Sequence, residues 1–308
     1  MIITVTLNPA IDKTAYVDSL EVGKLNRLKN VVSDVGGKGI NVSKTIKALK
    51  GNSRCFAVVA GDTGRMVENY LIAEEFNAFF VEADGSTREN VKVIDGQGHL
   101  TELNDEGPYV TERQMELLKM KLFRQLHKGD CIVMSGSAPR GVDKSIYAEL
   151  VKEAKGKGAK VILDVDGEYF RLAIEEKPDV VKPNIAELEA YFGVSDLDEN
   201  GIVEYAKKLI DKGVQLVVVS LGDQGALFVT ADKVWKAEAL DVEVASTVGA
   251  GDAMVAALAL CMDMRLVMDD TICWCMAASA GACMTQGTKP ADYLTVSGLI
   301  EKVVYHVV

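Results

Sequence analysis

Short apolar, β-branched runs recur along the chain: IITVTL from Ile2, CFAVVA from Cys55, CIVMSG from Cys131, VILDV from Val161, DVVKP from Asp179 and LVVVSLG from Leu216. They lack the strict alternation of a strand with one wet face, so each needs cover on both sides. Between them lie stretches of helical periodicity, including Lys38 to Lys50 and Gly64 to Phe76. The alternation predicts βαβ units with right-handed crossovers, and hence a doubly wound α/β fold whose mainly parallel sheet is flanked by helices. No linker, low-complexity tract or internal repeat divides the sequence, so a single domain over 1–308 is expected.

Two stretches depart from this rhythm. TAYVDSL through LKNVVSD and NVKVID through GHLTEL show short alternating strands, which predicts a small second sheet built from about 13–34 and 88–104. Such a sheet suits a lid over a ligand cleft and equally suits a surface hairpin.

Composition narrows the function by exclusion. With 48% hydrophobic and 26% charged residues the chain has material for a large core. A net charge of -11 disfavours a nucleic-acid partner, since duplex binding needs a clustered basic face. It does not exclude phosphorylated metabolites, because a few cations and backbone N–H groups dominate the field inside a cleft. The start MIITVTLNPAID lacks a signal peptide's basic flank and apolar run, and the apolar stretch from Thr271 to Cys283 is short of the roughly 20 residues a membrane span needs. A cytoplasmic protein without a membrane partner is expected. The six cysteines form no CxxC pair and the three histidines are isolated, which predicts reduced thiols and no structural zinc.

In open parallel sheets, ligands bind beyond the carboxyl ends of strands, so chemistry is sought in the polar and glycine clusters there. In STVGAGDAMVAALAL, Gly249, Ala250 and Gly251 open a helix of small residues after a β-branched run. Its unpaired first-turn N–H groups and dipole make an anion hole that a phosphate can approach closely. Asp252 in the same turn has the chemistry and place of a base for an attacking alcohol, and it also suits a plain helix N-terminal carboxylate. VGGKGINVSK brings the backbone amides around Gly37 and the Lys38 ammonium to one spot, where a phosphate or polyol could dock. A Walker A loop is absent: the near miss from Gly136 to Gly141 continues with Val142 instead of Lys. No GxGxxG follows the first strand, which removes most support for a dinucleotide enzyme.

The motifs NPAID, GGKGINVSK, TRENVK, SGSAPRG, KPNIAELE, SLGDQGAL and STVGAGD, in this order over essentially the whole chain, resemble the PfkB (ribokinase-like) carbohydrate kinases. The similarity is greatest to the branch containing 1-phosphofructokinase and tagatose-6-phosphate kinase. It implies a ribokinase-like fold and an ATP-dependent, Mg2+-assisted phosphorylation of a phosphorylated ketohexose. STVGAGD resembles the 1-phosphofructokinase branch more than the NPVGSGD style of tagatose-6-phosphate kinases, which favours fructose 1-phosphate to fructose 1,6-bisphosphate. Tagatose 6-phosphate is the alternative substrate. A catalytically silent sugar-phosphate sensor and a kinase of free sugars or nucleosides are the rival functions; intact Asp252 opposes the first, and Arg88 would lack an anionic partner in the second.

The resemblance makes Asp252 the catalytic base and Gly249, Ala250 and Gly251 the anion hole for the transferring phosphate. It gives Asp12, Gly37, Lys38 and Asn41 contacts to the sugar, although Asp12 also suits a turn or helix cap. Arg88 and Asn90 face the phosphate already on the substrate, as a guanidinium suits, or are otherwise a solvated edge-strand pair. Arg27 reaches the same phosphate from the lid, across a homodimer interface in some relatives. Asn184 and Glu187 match an NxxE element whose glutamate orients Mg2+ through water, and they equally resemble an N-cap box. Ser220, Gly222 and Gly225 resemble the ATP-side loop, or simply a β-turn, and Lys182 meets phosphate or ends a strand in solvent. Two departures stand out, Ala138 where SGSLP is usual and Asp166 where many relatives carry a small hydroxyl residue. Both bear on the substrate pocket and leave the reaction class intact.

Overall fold

A computed structural model describes residues 1–308. The first part of the chain runs β1 (Ile2–Thr6), β2 (Ala10–Tyr16), β3 (Asn30–Gly36), α1 (Lys38–Ala48), β4 (Ser53–Ala60), α2 (Gly61–Ala73), β5 (Asn77–Ala83), β6 (Arg88–Ile94) and β7 (Leu100–Leu103). It continues through α3 (Glu112–Gln125), β8 (Cys131–Ser135), α4 (Ile146–Gly156), β9 (Lys160–Asp164), α5 (Gly167–Ala173), β10 (Val180–Val181), α6 (Ile185–Phe192), α7 (Glu199–Asp211) and β11 (Leu216–Ser220). The last elements are β12 (Ala226–Val229), β13 (Val234–Ala237), α8 (Ala250–Met264), α9 (Met268–Cys283), α10 (Tyr293–Ile300) and β14 (Tyr305–Val307).

Ten strands form one sheet in the order β14-β13-β12-β11-β10-β9-β8-β1-β4-β5. The pairs from β11 to β5 are parallel, as the continuous apolar runs require. Alternate side chains enter opposite core layers. In β8, Ile132 and Met134 join one buried cluster, with residues of α3 and α4, while Cys131 and Val133 join the other, with residues of α8 and α9. Each such side chain contributes roughly 1.5–3 kcal/mol by leaving water. The antiparallel strands β12, β13 and β14 extend one edge beyond the parallel array. From β1 the chain goes to β4 and β5 on one side and later to β8 and β9 on the other, so the strand order reverses beside β1 and opens a crevice there.

The small sheet has the order β3-β2-β6-β7. Its strand β2 follows directly from the carboxyl end of β1 through Leu7, Asn8 and Pro9, so this sheet stands over that crevice. The parallel register of β2 and β6 sets Ala10 against Arg88 and Asp12 against Asn90.

Two element boundaries differ from expectation for stated reasons. The helix expected from Gly64 begins at Gly61, whose φ of +60° lets the chain turn straight out of β4. A Cβ there would lie 2.4 Å from the Gly85 carbonyl oxygen, so only glycine permits the early start. The helix expected to run to Lys50 ends at Ala48, and Lys50 sits at a φ of 63°. All six cysteines are free thiols.

Candidate active site

A cleft of about 640 Å³ opens where the two sheets meet, and Val248 is its one apolar wall. Gly249, Gly251 and Asp252 enter it from the start of α8, Gly37, Lys38 and Asn41 from the start of α1, and Asp12, Arg88 and Asn90 from the small sheet. Lys182, Asn184, Glu187 and Ser220 line it from the carboxyl ends of β10 and β11. Residues far apart in sequence are thus gathered from three sources: the carboxyl ends of the parallel strands, the first turns of α1 and α8, and the strands β2 and β6 of the small sheet.

Asp252 is 8% exposed, and Asn41 Nδ2 donates to its Oδ2 at 2.8 Å. Burial, and then the nearby Asp164 carboxylate, push the Asp252 pKa from 3.8 up to about 6, while the Asn41 hydrogen bond, Lys38 and Lys182 pull against that rise. Gly249 caps α8 in the left-handed region at a φ of 87°, which turns the chain into the helix. The first-turn N–H groups of Gly251 and Asp252 have no carbonyl one turn back, so they face the cleft as donors beside the carboxylate.

Asp164, at the carboxyl end of β9, was missed in the sequence. It is 3% exposed and lies 3.3 Å from both Lys38 Nζ and Lys182 Nζ. Burial alone would raise its pKa, but Lys182 and Lys38 outweigh burial and hold it below the ordinary carboxylate range. Burial would lower the Lys38 pKa, but the carboxylates of Asp164, Asp252 and Glu187, Asp164 foremost, outweigh it and raise that pKa, so Lys38 stays an ammonium at neutral pH.

Asp12 accepts from Asn90 Nδ2 at 2.9 Å, as the strand register dictates. Close approach excludes side chains at its neighbours: a Cβ on Gly36 would lie 2.3 Å from Asp12 Oδ2, and one on Gly37, at a φ of +107°, would lie 2.9 Å from Pro9 Cα. Arg88 Nε donates to the Asn8 carbonyl at 3.2 Å and binds no carboxylate. Burial lowers its pKa from the ordinary value although Asp12 and Asp105 oppose this. Asn184 and Glu187 form the reciprocal cap of α6, with distances of 2.9 and 2.8 Å, and still line the cleft. The cap and a ligand contact are therefore compatible.

A second cavity of about 680 Å³ adjoins the first and shares Asn184, Ser220 and Gly251 with it. Gly222, Gly225 and Ala250 line this side, and the rest is largely apolar: Leu240, Val242, Val244, Met254 and Met276. A polar cleft continuous with an apolar slot fits a nucleotide with its phosphates in the cleft and its base in the slot. The slot side chains carry no motif, and the sequence reading did not find them. Arg27 lies outside both cavities, exposed in the loop between β2 and β3, and in its own chain it does not meet the phosphate side of the cleft.

Several buried polar atoms in the cleft wall have no partner, namely Thr6 Oγ1, Asn8 Oδ1, Asn41 Oδ1, Asn90 Oδ1, Ser135 Oγ and Thr288 Oγ1. A desolvated, unpaired polar group costs roughly 1–3 kcal/mol, so a wall of them suits a ligand rich in hydroxyls. Asp166 also lines the cleft, exposed and without a side-chain cap bond to α5. No group of three acidic, His or Cys side chains could hold a metal by itself. Glu187 therefore suits an ion that brings most of its ligands as phosphate oxygens and waters.

Residues 5–294 match the model of the pfkB family carbohydrate kinases. The chain belongs to this family. It is 35% identical over 270 residues to 1-phosphofructokinase of Bacillus subtilis (strain 168), covering 88% of each protein. It is 34% identical over 257 residues to D-tagatose-1-phosphate kinase of Bacillus licheniformis, covering 83% of this chain and 84% of that one. Among solved structures, phosphofructokinase-2 from Escherichia coli in complex with fructose-6-phosphate superposes with a TM-score of 0.91 at 27% identity, over 98% of both chains. The fold is thus that of the PfkB sugar kinases, with a large mixed sheet between helices and a smaller separate sheet.

Proposed function

We propose that this kinase transfers the γ-phosphate of ATP to the free primary hydroxyl of fructose 1-phosphate, giving fructose 1,6-bisphosphate and ADP. The observation that carries the reading is Asp252: a buried carboxylate with its pKa raised to about 6, set beside the open first-turn N–H groups of α8. The acceptor O–H proton passes to Asp252 as its oxygen bonds to the γ-phosphorus, and the bond from that phosphorus to the ADP oxygen breaks. Charge developing on the transferred group meets the N–H donors of Gly251 and Asp252 and the ammonium groups of Lys38 and Lys182. Asp12 and Asn41 hold sugar hydroxyls, and Arg88 with Asn90 takes the phosphate already present. Bound Mg2+ would neutralise the nucleotide phosphates, with Glu187 holding it through water.

Support for a 1-phosphorylated ketohexose comes from the two named relatives, whose names share that feature. D-Tagatose 1-phosphate is the second reading, favoured by the relative that carries that name. Arg88, half-buried without a carboxylate, disfavours free sugars, and an intact Asp252 disfavours a silent sensor.

In the same reading the small sheet is a lid. Val22 and Leu25 at its tip are 96% and 80% exposed, and pairing two chains through the lid would cover them and bring Arg27 to the partner's acceptor phosphate. A reaction that consumes ATP and a phosphosugar fits a cytoplasmic enzyme. The deciding experiment is coupled ADP release on a panel of fructose 1-phosphate, tagatose 1-phosphate, tagatose 6-phosphate, fructose 6-phosphate and free sugars, for the unmodified protein and Asp252→Asn. Loss of the base lowers kcat by about 10²–10⁴ with nucleotide binding retained. Near-normal turnover by Asp252→Asn refutes the mechanism.

A further inference from the structure

Beyond Arg88, on the side away from Asp252, lies a separate open pocket of about 420 Å³. Arg88 and Asn8 belong to both cavities, so the pocket is the outward continuation of the cleft's acceptor end. Its character differs from the cleft's. Arg88, Arg140 and Lys144 all line it, and Glu106 is its one acidic side chain.

These cations are poorly neutralised. Arg140 Nε donates to the Gly107 carbonyl at 3.1 Å, and its nearest carboxylate oxygen, on the 78%-exposed Glu106 side chain, is 3.9 Å away. Lys144 Nζ forms no salt bridge; it donates to Tyr169 Oη at 3.1 Å and lies 4.4 Å from the centre of that ring. The buried Tyr169 thus fixes the Lys144 ammonium at the pocket wall. Ala138 contributes only a methyl group to the wall, so the space in front of the cations stays open. Uncompensated positive charges that converge on an open space repel one another, and a dianion placed between them relieves that repulsion.

We infer that Arg140 and Lys144, with Arg88, form the subsite that receives the phosphate already carried by the acceptor, and that they determine the preference for phosphorylated over free sugars. This rests on the phosphosugar reading given above. Arg88 forms the inner wall and orients the sugar toward Asp252. Arg140 and Lys144 act from outside, where they affect acceptor binding and leave the transfer step untouched.

The test is steady-state kinetics with fructose 1-phosphate on the full chain and on Arg140→Met, Lys144→Met, Lys144→Arg and the double Met variant. Loss of one charge-assisted contact is expected to raise KM for fructose 1-phosphate about tenfold, and loss of both more, with kcat and KM for ATP unchanged. Lys144→Arg should recover most of the affinity, which a merely structural lysine would not require. An acceptor KM unmoved in the double variant overturns the inference, as does a fall in kcat with KM unchanged. Should the unmodified protein turn over no phosphosugar, the functional reading fails separately. The subsite is then tested by calorimetric titration with inorganic phosphate: binding lost in the double variant upholds it, and equal binding by both proteins, or none by either, overturns it.

Discussion

In the proposed mechanism Asp252 is the base, and Asn41 restrains the rise that burial and Asp164 impose on its pKa, so removal of Asn41 makes a quantitative test. Its amide donates to Asp252 Oδ2 at 2.8 Å, and both side chains are more than nine-tenths buried at the wall of the cleft. A hydrogen bond to a charged acceptor contributes roughly 1.5–3 kcal/mol, and a difference of 1.36 kcal/mol corresponds to one pKa unit. Asn41→Ala should therefore carry the Asp252 pKa from about 6 to roughly 7–8. Because the base works ionised, the acid limb of the rate profile moves with it. With a pKa near the middle of that range, the fraction of ionised base at pH 6.5 falls about eightfold.

The assay is coupled ADP release, read as kcat/KM for fructose 1-phosphate from pH 5.5 to 9. Asn41 also faces the sugar, so part of the loss is independent of pH, and normalising each profile to its value at pH 9 separates the two effects. An acid limb whose midpoint stays within about 0.3 of the unmodified protein's would refute the assignment of Asn41 as the group that restrains the Asp252 pKa.

Three further outcomes follow from the same geometry. Asp252→Asn should lower turnover by about 10²–10⁴ and yet stabilise the fold: a folded pKa raised from 3.8 to about 6 means that ionisation costs stability as pH rises through that window, about 3 kcal/mol in full. The gain in Tm should accordingly be small at pH 4 and larger at pH 8, and a gain independent of pH would exclude this origin. Asp164→Asn leaves the Lys38 and Lys182 ammonium groups without their shared carboxylate, at an expected cost of about 3 kcal/mol and a Tm lower by roughly 5 °C, with a raised KM for ATP. Gly225→Ala places a Cβ 2.0 Å from the Ala237 carbonyl oxygen at a φ of +93°, so the loop beside the nucleotide slot must shift; calorimetry should show lost stability and titration should show weaker ATP binding.

Much of this site is legible in the sequence because a parallel sheet concentrates polar residues at strand ends. Apolar runs of the central sheet stop at polar residues, such as Lys182 after β10, while glycine clusters mark the starts of α1 and α8 that bring Lys38 and Asp252 to the same cleft, and Asp12 reaches it from β2. The strand alternation also gives the central sheet. Weaker signals account for the rest. The edge strands β12 to β14 are short and antiparallel, and SLGDQGAL reads as a bare turn until its flanking residues are seen paired, as Ser220 is with Ala226. The apolar slot for the base is assembled from the segment around Leu240 to Val244 and from single residues of α8 and α9, which are indistinguishable from core positions in sequence.

Asp164 shows where such reading stops. Its carboxylate closes the run VILD, which marks a strand end at a sheet whose ligands bind there, so a signal existed. Its significance lies in partners at Lys38 and Lys182, both within 3.3 Å and both supplied by other strand ends. That pairing depends on β9 lying next to β10, which brings Lys182, and on the chain returning from β3 of the small sheet into α1, which brings Lys38. The electrostatics follow from it. One buried carboxylate is held ionised by two ammonium groups, and its charge then helps to raise the pKa of Asp252, so a residue outside every motif helps poise the carboxylate proposed as the base.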